Sequence, residues 1–208
     1  MKLYEQSPKL RAEILRRGLI RVHTDLLTIH RSIEYWRLYH PEEITTLEKM
    51  VIALEDRRFF DHKGYDIRSL FREIIKASLF KRHGGASTID MQFVRTNTGY
   101  KDLTIRRKLY EILLSRLIQY RYNKVTILRS YVHCAYFGSH LIGCEKASMA
   151  VYGKSADSLS HEEAAMIASL LVYPRPQTPS DAWNERVSRR ARYGMAVYVR
   201  HKERVYKL

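Results

Sequence analysis

The stretch "LEDRRFFDHKG", residues 54–64, closes a segment in which Leu47, Met50, Val51 and Leu54 recur at the i, i+3, i+4, i+7 spacing of one helix face. Glu55, Asp56, two arginines, two phenylalanines and His62 then crowd into a few positions. On a wheel turning about 100° per residue, Glu55 falls at the margin of the apolar stripe and Asp56 on the opposite side. Adjacent carboxyls therefore meet different surroundings. A carboxyl beside apolar surface holds its proton more tightly, the condition a general base needs, whereas a solvated one does not. For a lone Glu-Asp pair a solvated helix end is the plainer reading, so the neighbouring segments must decide.

Downstream, "IRSLFREIIKASLF", residues 67–80, mixes Leu70, Phe71, Ile74, Ile75, Leu79 and Phe80 with basic residues and breaks at Gly84-Gly85. In "GGASTIDMQ", residues 84–92, Ser87 and Asp90 form a capping-box signature for a short helix reaching Thr96. A glycine-led turn into a helix N-terminus also presents free N–H groups and a positive dipole end, suited to phosphate. The helix expected over 104–122 is apolar on most of its circumference, with Ile105, Leu109, Ile112, Leu113, Leu114, Leu117 and Ile118, which predicts burial. Arg107, Lys108, Glu111, Ser115 and Gln119 share one strip of it. Buried charge is tolerated only when paired or lining a site, so the strip is either a structural ion-pair network or part of a cleft.

The rest of the chain is punctuated as helices. Pro41-Glu42-Glu43 opens the segment that ends at Glu55, and Asn123 caps a helix carrying Ile127, Leu128, Tyr131, Val132 and Ala135. Gly138 and Gly143 mark a loop, Glu145 to Tyr152 ends at Gly153, and Ser160 with Glu163 forms a capping box before an apolar run stopped by Pro174. A basic helical tail runs from Asn184. The fold class is mainly α.

The net charge of +15 over 208 residues predicts an anionic partner. Nucleic acid is disfavoured, because there is no zinc-finger spacing or RNA-binding aromatic signature and the charge is spread along the chain. Cys134 and Cys144 are too few for a disulfide framework and form no CxxC pair; two buried reduced thiols are expected, and no structural metal. The N-terminal residues are interrupted by charge every few positions, unlike a signal peptide, and no run approaches the ~18 apolar residues of a spanning helix.

Taken in order, "EDRRFFDHKG", "GGASTIDMQ", "RKLYE" and "KVTILRSY" resemble the motifs E-D-x-x-F-x-x-H-x-G, G-x-S-T-I-x-x-Q, R-K-x-x-E and K-x-x-I-L-x-x-Y of the peptidoglycan glycosyltransferases of family 51. These are found in class A penicillin-binding proteins and monofunctional transglycosylases. The resemblance covers about residues 43–180. It leaves 1–42 as an N-terminal basic helical arm and 181–208 as a basic C-terminal helix packed on the same domain. It implies a lysozyme-like lobe with a smaller membrane-facing jaw, the place of residues 67–82.

The implied reaction polymerises lipid II into glycan strands. Glu55 is then the base that takes the proton of the acceptor 4-hydroxyl. Glu111 assists near the donor pyrophosphate by positioning basic groups or a divalent cation, Mg or Mn. Arg95, Arg107, Lys108 and Lys124 supply positive charge, and Asp56, His62, Ser87, Thr88 and Gln92 complete the motifs that shape the substrate site.

The resemblance further implies lipid II, the growing strand, an anionic membrane surface and cell-wall synthesis proteins as partners, at the outer face of the cytoplasmic membrane or in the periplasm. This chain departs from the family pattern at Arg95-Thr96, usually Lys-Asn, and at Val132-His133, usually Leu-Asn. The last motif is blurred around Arg189 and Arg190. Two alternatives stay open: a catalytically weakened glycan- or lipid-binding relative, and a lysozyme-like hydrolase in which Glu55 is the general acid.

Overall fold

The computed structural model describes residues 8–37, 43–78, 87–100, 102 and 104–201. In chain order it holds the helices α1 (Pro8–Arg37), α2 (Thr46–Glu55), α3 (Ile67–Ser78), α4 (Ile89–Thr98), α5 (Ile105–Ile118) and α6 (Lys124–Cys134). A small antiparallel hairpin of β1 (Tyr136–Gly138) and β2 (Leu141–Ile142) follows, then α7 (Cys144–Tyr152), α8 (His161–Ser169) and α9 (Asp181–Arg200). The architecture is mainly α, as the periodicity predicts.

The core forms around α2, whose Leu47, Met50, Val51 and Ile52 are buried and which packs on α8 and α9. The helix α4 packs on α6 and α5, and α1 lies across α4 and α6. One continuous cluster includes Ile29 and Ile33 from α1 and Val187, Ala191 and Val197 from α9. The end of the N-terminal arm and the C-terminal helix thus share the core of the segment between them. Both cysteines are free, and burial pushes each thiol up to about 12.

Three local readings are corrected. The helix α2 opens at Thr45, not at Pro41: Thr45 and Glu48 form a reciprocal capping box, with Glu48 buried and paired to Arg129 at 3.3 Å. Pro41 and Glu42 lie outside the described residues. The cap of α4 is Thr88, whose hydroxyl accepts from the Met91 N–H, rather than Ser87 with Asp90. That releases both Ser87 and Asp90 for other bonds.

The third correction concerns α5, which is not buried all round. Ile105, Leu109 and Leu113 are 82%, 62% and 46% exposed, while Glu111 and Ser115 are buried. The helix is turned inside out because its polar strip finds partners within the protein and its apolar strip finds none among the described residues. The face of α3 repeats the pattern, with Ile67, Phe71 and Ile75 all exposed at four-residue spacing. The remainder of the expected jaw, from Leu79 to residue 82, lies outside the described residues.

Candidate active site

Glu55 is the last residue of α2, and its side chain is only 9% exposed. Arg190, on α9, donates to Glu55 Oε1 at 2.7 Å and to the Leu54 carbonyl at 3.3 Å. Gln92, on α4, donates from Nε2 to Glu55 Oε2 at 3.0 Å, and its own Oε1 accepts from the buried hydroxyl of Tyr131 on α6. Because Tyr131 occupies the amide oxygen, the amide nitrogen must face the carboxylate. The close approach of α9 depends on Gly194, where a Cβ would lie 2.9 Å from Leu54 Cδ2.

A cavity of about 730 Å³ opens in front of Glu55. Its walls carry Arg57, Arg72, Arg95 and Arg190, with Ser87 and Thr88 at the start of α4. Of the three carboxylates in the lining, Asp56 is engaged by His62 and Asp66 by Arg58, and Glu55 in an arginine-rich cleft suits a reaction in which one proton is taken and an anionic group is held.

Glu111 is closed off behind one wall, 1% exposed. Arg95 grips both its oxygens, Nε at 2.9 Å and Nη2 at 3.1 Å, and Arg107 stands 3.4 Å away. The Ser87 hydroxyl accepts from Lys108 at 2.9 Å and from Arg95 at 3.2 Å. Arg95 therefore spans from the buried acid to the cleft. A divalent cation does not fit on Glu111 in this arrangement, since Arg95 already bonds both oxygens of a carboxylate that is 1% exposed.

A third network backs the cleft. His62 donates from Nε2 to Asp56 at 2.9 Å, and Asp56 also accepts from the Ile89 N–H at 3.2 Å. Lys124 donates to Asp90 at 2.7 Å and sits 4.3 Å from the centre of the Phe59 ring and 3.4 Å from His62 Nδ1. Gln119 donates to the other Asp90 oxygen. Burial pushes the Lys124 ammonium below its ordinary range, against the pull of Asp90. Asp56, His62 and Asp90 come close enough together to hold a metal ion, but the ammonium of Lys124 already serves their charge.

The transglycosylase family model matches residues 32–197. The chain belongs to this family. It is 35% identical over 144 residues to penicillin-binding protein 1A of Escherichia coli, covering 68% of this chain and 17% of that protein. Penicillin-binding protein 2a of Streptococcus pneumoniae strain R6 is 35% identical over 144 residues, covering 69% and 19%. The biosynthetic peptidoglycan transglycosylase of Nitrosomonas eutropha is 33% identical over 158 residues, covering 72% and 64%. The chain thus spans about a fifth of the penicillin-binding relatives and less than two thirds of the shorter transglycosylase.

In this transglycosylase-family domain Glu55, Asp56, Ser87, Thr88, Gln92 and Arg95 line the cleft, whereas Glu111, Arg107, Lys108, His62 and Lys124 stand behind its walls. Asp56 does not point away from Glu55's side as the wheel predicts. It caps α2 with φ −154° and ψ 78°, so the helix ends there and the side chain turns inward. Sequence reasoning left Arg190, Tyr131, Asp90 and Gln119 out of the site. Tyr131 closes a quoted motif and Arg190 lies in a blurred one, but neither spacing shows that both converge on Glu55.

Two further positions settle locally. Gly64, at φ +90°, lies against α5 so closely that a Cβ would sit 2.6 Å from the Ser115 carbonyl, and its own carbonyl accepts from Thr88 at 2.7 Å. His133 stacks on Trp36 at 4.8 Å, and its Nδ1 lies 3.5 Å from Cys144 Sγ. Burial lowers its proton affinity. It belongs to the packing of α1 on α6.

Proposed function

We propose that the chain is a peptidoglycan glycosyltransferase that extends glycan strands from lipid II, with Glu55 as general base. The observation that carries this reading is Glu55 itself, oriented by Arg190 and Gln92 at the mouth of a cleft whose other charged walls are largely arginine. Glu55 takes the proton of the acceptor hydroxyl as that oxygen attacks the anomeric carbon of the donor. The bond to the pyrophosphate breaks, and negative charge grows on the leaving oxygen, where Arg95 on the cleft wall supplies positive charge. Lys108 reaches the same edge through Ser87.

Glu111 acts through Arg95, holding the guanidinium toward the cleft, and Arg107 balances the buried charge. Asp56, His62, Asp90 and Lys124 hold the start of α4 against the end of α2, so that Gln92 meets Glu55. The exposed apolar residues Ile67, Phe71 and Ile75 of α3 support contact with the bilayer that carries the lipid substrate, and a reaction at a membrane surface. Among the described residues no helix is long and apolar enough to cross it.

The test is incubation of the purified chain with fluorescent lipid II and separation of polymer from monomer. Polymer from the wild type and none from Glu55→Gln supports the reading. Turnover of a lipid-free glycan with no polymer would transfer Glu55 to the hydrolytic role.

A further inference from the structure

On the far side of Arg58 from the cleft lies a second, shallower cavity of about 410 Å³, between the loop before α3 and the last turns of α5. Its lining has four cations, Arg58, Lys63, Arg68 and Arg116, against two acids, Asp61 and Asp66. Arg58 is matched by both acids, at 3.7 Å to Asp61 and 3.1 Å to Asp66. Lys63, Arg68 and Arg116 have no carboxylate partner among the described residues. Four cations against two acids leave a net excess of two positive charges in a concave site, which calls for an anion.

The surroundings say which kind. Ile67 lines this cavity and begins the exposed stripe Ile67, Phe71, Ile75 of α3. Arg116 lines it from α5 and follows the exposed stripe Ile105, Leu109, Leu113 by one turn. Two apolar helix faces with nothing packed on them among the described residues thus lead into one basic pocket. Arg116 stacks over the exposed Tyr120 ring at 4.9 Å, an arrangement suited to the boundary between water and acyl chains. The close contact of Gly64 with the Ser115 carbonyl fixes the backbone of the loop bearing Lys63 beside Arg116, so the two cations are carried on segments that are packed together.

We propose that this pocket binds the phosphate headgroup of an anionic glycerophospholipid, with the stripes of α3 and α5 lying in the interface of the same leaflet. A soluble anion would account for the cations but not for the paired apolar stripes, whereas a phospholipid accounts for both. The inference does not depend on the transferase reading, because lipid II is not involved and neither Glu55 nor Gln92 lines the pocket. Such a site would set the orientation of the domain on the membrane independently of substrate.

The experiment measures co-sedimentation of the whole chain with vesicles of phosphatidylcholine containing phosphatidylglycerol, without lipid II. Lys63→Gln/Arg68→Gln should weaken binding by roughly ten-fold or more, given the contribution of each basic residue near an anionic surface. A control that removes the same charge elsewhere, Lys146→Gln/Arg200→Gln, should change it less than about two-fold, since neither residue lines the pocket. Equal losses in both double variants, or no loss in the first, would overturn the proposal in favour of diffuse attraction. Titration of the wild type with short-chain phosphatidylglycerol and, separately, with inorganic phosphate distinguishes the sources. Tighter binding of inorganic phosphate would reassign the pocket to a free anion.

Discussion

The helices α2 and α5 each carry a glutamate of the site, and they solve the burial of that acid in opposite ways. The apolar face of α2 points into the core, and Glu55 comes at its last residue, where the backbone leaves the helix and the side chain looks into a cleft. The apolar face of α5 points outward, and Glu111 comes in mid-helix, turned to the interior and held by Arg95 at both oxygens with Arg107 close by. Glu55 has one guanidinium, one amide and open space in front. The difference teaches that a carboxylate at a helix end can keep a face for substrate, while one in mid-helix is consumed by the groups that make its burial tolerable.

The largest expected effect tests the open acid. Glu55→Gln should lower lipid II polymerisation by about 10²- to 10⁴-fold, the usual worth of a positioned base. Thermal unfolding should move little, because the amide oxygen can still accept from Arg190. Polymer at the wild-type rate would end the contrast, since Glu55 would then be as structural as Glu111.

The closed acid should answer in stability. Glu111→Gln leaves Arg95 and Arg107 facing a neutral group in a buried site and should cost about 2–4 kcal/mol in urea unfolding, with activity falling alongside. A variant that loses turnover at unchanged stability would show Glu111 to act directly on substrate. Gly64→Ala probes the joint between the first motif and α5. A side chain there meets the Ser115 carbonyl at 2.6 Å and forces an alanine to φ +90°, so a loss of about 1–3 kcal/mol is expected by the same measurement. Smallest of all should be Leu109→Ser or Leu113→Ser. Each residue is exposed, so stability should stay within about 0.5 kcal/mol. A clear loss of stability would mean that the outer face of α5 is packed after all.

Much of this was legible in the sequence, because helix periodicity and caps are local. The helices ended by Gly153 and capped by Asn123 and Ser160 appear where the sequence predicts. The errors arise where tertiary partners decide. Ser87 and Asp90 have the spacing of a capping box, but Lys108, Arg95 and Lys124 compete for them and Thr88 takes the cap. The apolar count of α5 predicted burial, yet which face turns inward depends on Arg95 from α4. The hold of Arg190 on Glu55 joins positions 135 apart in the chain, which no local pattern can show.

The first half of the chain carries one more device. Asp25 on α1 accepts from the hydroxyls of Tyr100 and Tyr110, at 2.9 and 2.7 Å, and Arg21 lies over both rings. Tyr110 stands between Leu109, which faces out, and Glu111, which faces in. With about 100° between successive residues, a roll of α5 by one position would carry Glu111 out of its pocket and put a neighbour in its place. The bond from Tyr110 to Asp25 works against that roll as a key works in a keyway. The long N-terminal helix is therefore also the part that holds α5 in rotational register, with its charged side toward the cleft and its oily side away from it.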